Sequence, residues 1–393
     1  MDVILSVVVP TKNRYFYLDY LLRYFVSIRS KKIELIIHDN SDDDSSAKIK
    51  ADLERYGDTR IHYYKLEGHI SQTENCDLAI SRASGEYVTM IGDDDIFSKH
   101  LVDYCASWSE LGYEAVLPNK ASYIWGDVNP RLYASNAGVL RSGVYTGSVV
   151  PIDVAALPEK ITKLGGTDIS NLPRVYHGIV KKSILDKVYE HCGSYCPGPS
   201  PDIANGIALC KYLTNYLYVD LPLITSGQCS SSAGGKGAQG DHYAEIDDVL
   251  QLPEGCALRW EKKVPFYWSG KTIYAESVLK AFRSMKMSKE LTSFNYEYLY
   301  ASCLVFDWRY QSRILNVIKL NVGHLRLYRI AWYSIKIMSA RTKFHLKTHL
   351  FTVIKNRIFN QHGIVLASDT LQVAGILDDK FGPPPVGNGP KHN

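Results

Sequence analysis

The sequence predicts an α/β protein whose sheet is mainly parallel and covered by helices on both faces. Strand and helix patterns alternate along the first hundred residues. The strand patterns are continuous apolar runs rather than alternating ones, which is typical of strands buried on both faces of a parallel sheet. Polar clusters follow three of these runs, and ligands bind at that carboxyl edge in such sheets.

Each element of this first part is predicted from a local pattern. Ser71 and Glu74 fit a capping box, which predicts a helix that begins after Ser71 and stops near Gly85. The other helices follow from apolar residues at helical spacing, and the strands from short β-branched or aromatic runs. In chain order, these elements are strand 5–9, helix 15–27, strand 33–37, helix 47–55, strand 60–65 and strand 87–91.

The rest of the chain is less regular until about residue 270. A small-residue stretch from Ser230 to Gly240 is either a mobile lid or a plain surface loop. Beyond 270 the pattern is helical, and one helix face is expected to hold Ile314, Val317, Ile318, Asn321, Leu325, Tyr328, Trp332 and Ile335. We predict a domain over 1–260 with halves 1–110 and 111–260, a helical, basic and aromatic region over 261–380, and a disordered tail over 381–393.

Composition indicates a globular protein of a reducing compartment. The chain has 393 residues, 46% of them hydrophobic, and eight cysteines without a CxxC pair. The N-terminal apolar run is too short for a secretion leader, and no apolar stretch is long enough to span a membrane, so we expect a cytoplasmic protein. Residues 301–360 hold eleven lysines and arginines and one acid, a net charge of +10, which predicts an anionic partner.

The most informative motif is the run of three acids at 93–95 that ends an apolar strand. Three neighbouring carboxylates repel one another unless a cation neutralises them. Oxygen ligands suit Mg²⁺ or Mn²⁺, which also bind substrate phosphates. Taken alone, the acids also fit a solvated acidic turn, but two other strands end in polar clusters as well.

These motifs together resemble family 2 glycosyltransferases, in residues, order and spacing, over roughly residues 1–110. The matching segments are Ser6–Arg14, Asp39–Asp43, Asn75, Gly85–Tyr87 and Gly92–Asp95. The resemblance implies a GT-A fold, a nucleotide-sugar donor (a UDP-, GDP- or dTDP-sugar), a divalent cation and inversion at the anomeric carbon. It also implies a role in synthesis of bacterial surface polysaccharide.

The resemblance also implies roles for individual residues. Asp39 accepts a hydrogen bond from the base, and Asn75 matches the asparagine of an Arg-Asn-x-Gly helix. In that helix Glu74 replaces the arginine and Asp77 the glycine. The remaining donor-site residues are Pro10, Thr11, Asn13 and Arg14 around the base and diphosphate, Asp93 and Asp94 toward the ribose, and Asp95 on the metal.

Two further residues match the acceptor half of the family. The segments Val175–Val180 and Gly198–Ala204 are similar to it, and Asp202 stands where the family has a catalytic carboxylate. The alternative is that Asp202 is only the N-cap of a helix. His242 resembles a histidine that touches metal or diphosphate in some GT-A enzymes, or it is a surface histidine.

The basic C-terminal block suggests a lipid-linked acceptor and peripheral binding to an anionic membrane; the alternative is a helical subdomain with its aromatics packed inward.

A nucleotidyltransferase needs a glycine-rich loop after the first strand, and this chain has none between Thr11 and Tyr15. A catalytically inactive nucleotide-sugar or glycan-binding module remains an alternative. Nucleic-acid binding would leave the acidic strand ends unexplained, so we expect no nucleic-acid partner.

Overall fold

The computed structural model describes residues 2–42, 45–68, 70–128, 138–169, 171–238, 243–358 and 364–384. Its strands are β1 (Leu5–Thr11), β2 (Ile33–Asp39), β3 (Ile61–Lys65), β4 (Tyr87–Met90), β5 (Ile96–Phe97), β6 (Ala115–Ile124), β7 (Val139–Arg141), β8 (Val149–Pro151), β9 (Ile179–Lys181), β10 (Tyr216–Gln228) and β11 (Ile364–Leu366).

Its helices are α1 (Tyr15–Ser27), α2 (Ser45–Tyr56), α3 (Gln72–Ser81), α4 (Leu101–Glu110), α5 (Leu157–Lys163), α6 (Lys182–Cys192), α7 (Pro201–Leu209), α8 (Ala233–Ala238), α9 (Gly270–Ser284), α10 (Ser288–Thr292), α11 (Tyr296–Phe306), α12 (Gln311–Asn321), α13 (Leu327–Ile358) and α14 (Thr370–Lys380). All six regular elements predicted by pattern in residues 5–91 are present, and so is the capped helix, with ends shifted by a few residues.

The central sheet confirms the predicted fold class. Strands β3, β2, β1 and β4 lie side by side and run parallel, with Val7 opposite Leu35 on one side and Thr89 on the other. Beyond β4 the sheet continues through β9, β6, β7 and β11 in antiparallel pairs, while β10 runs parallel to β6. The carboxyl ends of β1, β2 and β4 therefore meet at one edge of the sheet.

Helices cover both faces of this sheet, as predicted. Val8 of β1 belongs to a core that includes Ala79 of α3, whereas Val7 and Val9 belong to a second core that includes Leu18 of α1. Because successive strand residues point to opposite faces, a strand covered on both sides favours apolar residues at consecutive positions. This explains the continuous apolar runs in the sequence.

The C-terminal helices correct one prediction. The apolar residues from Ile314 to Ile335 do not share one face, because the chain leaves the helix at Val322 and begins α13 at Leu327. Ile314 and Ile318 of α12 are buried. Among residues 327–346 of α13, for which burial is described, Ile330 and Ile337 are buried, while Tyr328, Trp332 and Ile335 are exposed, as is Leu325 just before the helix.

The last described segment returns to the N-terminal half of the chain. Strand β11 pairs with β7, and Asp378 of α14 accepts hydrogen bonds from Tyr24 and Ser98. The Phe381 ring contacts the Tyr145 ring, with centroids 5.4 Å apart. Residues 385–393, most of the predicted tail, lie outside the described residues.

None of the helices that the structure describes has both the length and the apolar character that crossing a bilayer demands. The stretch predicted as a lid or surface loop holds α8 over Ala233–Ala238, and residues 239–242 lie outside the described part.

Candidate active site

Asp93, Asp94 and Asp95, which we call the acid corner, follow β4 directly and are buried in the described structure. They are therefore not a solvated acidic turn. Carboxylates removed from water need partners that supply positive charge or hydrogen bonds. The neighbouring strand ends and loops supply both.

Arg14 is the cation that faces the first two acids. Its Nη1 lies 3.0 Å from Asp93 Oδ1 and 3.6 Å from Asp94 Oδ1. Thr11 Oγ1 donates a hydrogen bond of 2.5 Å to Asp93 Oδ2. Burial raises the pKa of Asp93 although Arg14 opposes it, and burial together with the Asp95 charge raises the pKa of Asp94. The predicted donor-site loop after β1 thus contacts the acid corner directly.

Asp95 is held by a histidine that the sequence analysis did not assign. His177 Nε2 lies 2.6 Å from Asp95 Oδ2, and both side chains are buried. The N–H groups of Gly92 and Gly227 donate to Oδ2 and Oδ1 at 2.6 and 2.7 Å. Burial would raise the pKa of Asp95, but the His177 charge and these hydrogen bonds lower it below its usual value. Asp95 is therefore an ionised, preorganised carboxylate.

His177 is itself fixed by its surroundings. Its φ of 57° is in the left-handed region, which a non-glycine residue rarely adopts. The Tyr176 ring stacks on the imidazole with centroids 3.9 Å apart, and Lys120 Nζ lies 3.2 Å from Nδ1. Such a conformation persists only where the surrounding contacts determine it.

The end of β10 closes over the acid corner from the other side. Cys229 N donates to Asp94 Oδ2 at 3.1 Å, and Trp125 Nε1 donates to the Asp94 carbonyl at 3.0 Å. Gly227 lies so close that a Cβ atom there would be 1.8 Å from the Asp94 carbonyl oxygen. Only glycine allows this approach of the two backbones.

Asp95 has one acceptor position without a hydrogen-bond partner, so it can offer a divalent cation a single protein ligand. No three His, Cys, Asp or Glu side chains converge as a metal-binding group within the described ranges. Mg²⁺ in phosphate-processing sites is usually held by one or two carboxylates and the substrate phosphates, so one ligand is enough. A carboxylate has about four acceptor positions, and three on Asp95 are taken by Gly92, Gly227 and His177. The remaining position is on Oδ1.

At the end of β2, Asp39 is fully buried and already partnered. Its Oδ1 accepts from Ser41 N at 2.8 Å and its Oδ2 from the Tyr63 hydroxyl at 2.7 Å. Asn75 braces the same strand end, since its Oδ1 lies 2.7 Å from His38 Nδ1. Asp39 and Asn75 therefore shape the loop after β2 in this structure.

A cleft of about 450 Å³ lies beside that loop, at the ends of β1, β2 and β3. This volume lies in the range of small-ligand pockets. Lys12, Asp42 and Lys65 line it, and Lys12 Nζ is 3.2 Å from Asp42 Oδ2. The predicted residue Asn13 borders it by accepting a hydrogen bond from Asp42 N at 3.0 Å. Pro10 pairs in register with His38 on the neighbouring strand.

The first turn of α7 presents Asp202, which is not the N-cap residue. The N-cap is Ser200, and Asp202 is the second residue of the helix. Asp202 Oδ1 accepts from Ser200 Oγ at 2.7 Å and from Ile203 N at 2.8 Å. The Asp202 charge, followed by burial, raises the pKa of Tyr274, so the Tyr274 hydroxyl lies close to Asp202.

Helix α9 of the predicted C-terminal region supports the loop before α7. Ser277 Oγ accepts a 2.8 Å hydrogen bond from Ser200 N. At Gly198, an added Cβ would lie 2.9 Å from Ala204 Cβ and 3.0 Å from the Ser277 carbonyl oxygen. The loop and α9 are thus packed too closely for any larger residue at Gly198.

Asp95 and Asp202 both influence the titration of two side chains. Burial and the Arg174 charge lower the pKa of Lys120, while Asp95 and Asp202 both oppose that shift. Burial raises the pKa of Tyr176, and Asp95 and Asp202 add to it. Asn205 Oδ1 of α7 accepts a 2.9 Å hydrogen bond from Val175 N, two residues before His177, so the helix that carries Asp202 packs beside the segment that holds Asp95.

The sequence analysis missed His177, although it noted the segment Val175–Val180. The available signal was a histidine directly before a glycine in that segment. The predicted metal-site histidine, His242, lies outside the described residues. Tyr274 was missed because it lies 72 positions beyond Asp202 and only the packing of α7 on α9 brings the two together.

The family model described as "Glycosyl transferase family 2" matches residues 6–147. The chain carries a family 2 glycosyltransferase domain. The match includes the acid corner and the loop after β1, and it ends before Asp202. The predicted family is thereby confirmed for residues 6–147.

Named relatives agree with this assignment. The domain is similar to "Glycosyltransferase GlyG" of Streptococcus pneumoniae serotype 4, with 28% identity over 137 residues, 34% of this chain and 45% of the relative. It is also similar to a Campylobacter jejuni "GalNAc(5)-diNAcBac-PP-undecaprenol beta-1,3-glucosyltransferase", with 28% identity over 116 residues, 29% of this chain and 37% of the relative. The chain matches less than half the length of each.

Among solved structures, S. aureus TarS 1-349 in complex with UDP-GlcNAc is similar at a TM-score of 0.45 and 13% identity. That similarity covers 80% of this chain and 89% of the TarS chain.

Proposed function

We propose that this glycosyltransferase moves a sugar from a nucleotide-sugar donor to a hydroxyl group of a glycan or lipid-linked acceptor, with inversion at the anomeric carbon. The observation that carries the proposal is that α7, the helix with Asp202, packs beside the segment of His177, which holds Asp95. A donor diphosphate at the acid corner then has a carboxylate across the sugar from it. This is the arrangement that a direct displacement needs.

In the proposed reaction, Asp202 takes the proton of the acceptor hydroxyl while that oxygen bonds to the anomeric carbon. The bond from this carbon to the diphosphate oxygen breaks, and the nucleoside diphosphate leaves with the electron pair. A general base contributes on the order of 10²–10⁴-fold to such a step. Arg14 and Lys120 are the cations beside the acid corner that stabilise charge on the leaving group.

Mg²⁺ or Mn²⁺ is part of the proposal. Asp95 would hold the ion through its open acceptor position, together with the donor diphosphate, and the ion would supply Lewis-acid stabilisation of the leaving diphosphate. The ionised state of Asp95 supports this assignment. His242 as a further metal ligand stays a prediction.

The cleft lined by Lys12, Asp42 and Lys65 is the proposed site for the nucleoside part of the donor. It lies beside the loop after β2, where the family resemblance places recognition of the base. Asp42 carries an exposed carboxylate and Asp39 is fully buried. We therefore assign direct base contact to Asp42 and support of the loop to Asp39.

A lipid-linked acceptor in bacterial surface polysaccharide synthesis is the proposed biological context. The name of the Campylobacter jejuni relative gives an undecaprenol-linked molecule, which supports an acceptor of that kind. Such an acceptor lies at a membrane, so the enzyme would have to reach an anionic membrane surface. The excess of basic residues over 301–360 is consistent with this.

The test is a screen of the purified full chain against UDP-, GDP- and dTDP-sugars with Mn²⁺, with and without acceptors, scored by nucleotide release. We expect release with one nucleotide class, faster when an acceptor hydroxyl is present. Binding of a nucleotide sugar without any release would instead favour the inactive binding module. Neither binding nor release would contradict the proposal.

A further inference from the structure

Exposed apolar side chains are concentrated in one part of the described structure. Residues 308–346 contain eleven of the large hydrophobic side chains that are exposed, against eleven in all other described residues together. The eleven are Trp308, Leu315, Leu320, Leu325, Leu327, Tyr328, Trp332, Ile335, Met338, Phe344 and Leu346. Scattered exposed apolar residues need no explanation, but a concentration of this kind marks an interaction surface.

Four of these side chains form a stripe on α13 that faces away from the protein. Tyr328, Trp332 and Ile335 are 71, 55 and 68% exposed, and their spacing of four and three residues places them on one side of the helix. Leu346 is 57% exposed and follows Tyr328 by about five helical turns, so it lies on the same side. We call Tyr328, Trp332, Ile335 and Leu346 the outer stripe.

The opposite side of α13 attaches the helix to the body. Ile330 and Ile337 are buried at 5 and 8% exposure. The Tyr333 ring contacts the Tyr298 ring of α11 with centroids 5.3 Å apart, and Tyr333 accepts a hydrogen bond from Asn295 Nδ2 at 3.2 Å. Because these contacts attach one side of α13 to the body, the outer stripe on the opposite side faces away from it.

Two lysines, Lys336 and Lys343, lie beside the outer stripe on the same side of α13. Lys336 Nζ is 5.2 Å from the centroid of the Trp332 ring, and Lys343 follows two turns later on the same side. Neither lysine has an ion-pair partner in the described residues. The sequence of α13, from Leu327 to Ile358, contains seven lysines and arginines and no acid.

We propose that the outer stripe of α13, with Lys336 and Lys343, docks on the surface of an anionic lipid bilayer. Trp332, Tyr328 and the aliphatic members would enter the headgroup and upper acyl region, while the lysines reach lipid phosphates. The helix would lie along the surface rather than cross it. This deepens the proposed function, since it names the surface where a lipid-linked acceptor would be met.

The chemistry of the outer stripe favours a bilayer over other occupants. A second copy of the chain would bring two basic, acid-free helices together, which like-charge repulsion opposes. Nucleic acid would neutralise the lysines but offers no apolar layer for Ile335 and Leu346. An anionic bilayer offers phosphates at its surface and hydrocarbon beneath it.

The test is flotation of the full chain, without donor or acceptor, with phosphatidylcholine vesicles that contain or lack about one third phosphatidylglycerol. We expect binding to the anionic vesicles only, weakened by added salt. A Lys336→Gln/Lys343→Gln double variant should bind about 25-fold more weakly, at about fivefold for each lysine. Trp332→Ser should also weaken binding and should remove a blue shift of tryptophan emission on addition of vesicles.

Matched controls come from exposed residues elsewhere. Lys31→Gln/Lys187→Gln removes the same charge, and Leu258→Ser removes an apolar side chain that is 93% exposed; both should bind like wild type. Equal loss in the two double variants, no binding to anionic vesicles, or tighter binding to a duplex oligonucleotide than to vesicles would overturn the proposal. Because the assay contains no sugar nucleotide, its failure leaves the glycosyl-transfer proposal untouched.

Discussion

Replacing Asp77 by asparagine should stabilise the protein at neutral pH and have little effect at acid pH. Asp77 of α3 accepts hydrogen bonds from Tyr195 N and Cys196 N at 2.9 and 3.1 Å, so it ties the donor half to the loop that leads to Asp202. Both bonds end on Oδ1. An asparagine oxygen can accept the same two bonds without carrying charge.

The magnitude follows from the pKa of Asp77. Burial raises this pKa from 3.8 to about 6, although hydrogen bonds from Ser194, Tyr195 and Cys196 act in the opposite direction. At about 1.4 kcal/mol per pKa unit, ionised Asp77 lowers the free energy of unfolding by up to about 3 kcal/mol. Some contact with solvent reduces this figure.

The sign of the pH dependence is fixed by the same shift. Between pH values of about 4 and about 6 the folded state holds the proton of Asp77 more tightly than the unfolded chain does. The contribution of this group to stability therefore falls as the pH rises through that window, and it stays low above it. The asparagine side chain of the variant would not titrate, so the variant gains its advantage as the pH rises.

Urea denaturation of the full chain at about pH 4 and about pH 8 checks this expectation. We expect Asp77→Asn to be more stable than wild type by about 2–3 kcal/mol at the higher pH and nearly equal at the lower. The exposed Asp248→Asn serves as the matched control and should change stability little at either pH. A gain of equal size at both pH values, or a loss at the higher one, would refute the reasoning.

Three further substitutions test the site itself. Gly227→Ala places a methyl carbon 1.8 Å from the Asp94 carbonyl oxygen. We therefore expect the free energy of unfolding, measured by urea denaturation, to fall by about 1–3 kcal/mol. We also expect weaker donor binding, measured by calorimetry. His177→Gln removes the hydrogen bond to Asp95 Oδ2 and should raise the Kd for the nucleotide donor with Mn²⁺ about 10- to 100-fold. Tyr274→Phe removes a hydroxyl close to the proposed base and should lower kcat about tenfold with little change in donor Kd, by steady-state kinetics and calorimetry.

Each of these has a control and a contradicting result. Gly126→Ala adds a methyl group with no neighbour within 4 Å and should be neutral, and equal effects at Gly126 and Gly227 would contradict the close-approach argument. The exposed Tyr189→Phe should leave kcat unchanged. An unchanged donor Kd in His177→Gln would show that the orientation of Asp95 does not affect donor binding. A wild-type kcat in Tyr274→Phe would show that Tyr274 has no role in the reaction.

The donor half of the fold could be predicted because its signals are local. The strand β1 is recognised by its apolar run, and α3 by its capping box, which the structure reproduces with both Ser71 and Glu74 hydrogen bonds. The acid corner could be placed at a sheet edge because strands that alternate with helices run parallel. Each of these inferences needs only a few consecutive residues.

The rest depends on contacts between distant parts of the chain. His177 meets Asp95 across 82 positions, and its left-handed backbone conformation leaves no clear mark in the sequence. The helix ends before Val322, and a new helix begins at Leu327. Trp332 and Ile335 are therefore exposed, although the sequence pattern predicts that they share a face with Ile314, which is buried. The return of α14 to the N-terminal half is a pairing that no local periodicity encodes.

The most direct test of the central claim compares donor binding and sugar transfer in Asp202→Asn. The substitution keeps the shape of the side chain and its hydrogen bonds from Ser200 and Ile203 but removes the basic oxygen. We predict a donor Kd within about twofold of wild type and a transfer rate lower by on the order of 10²-fold or more. Transfer at a near wild-type rate would contradict the assignment of Asp202 as the base.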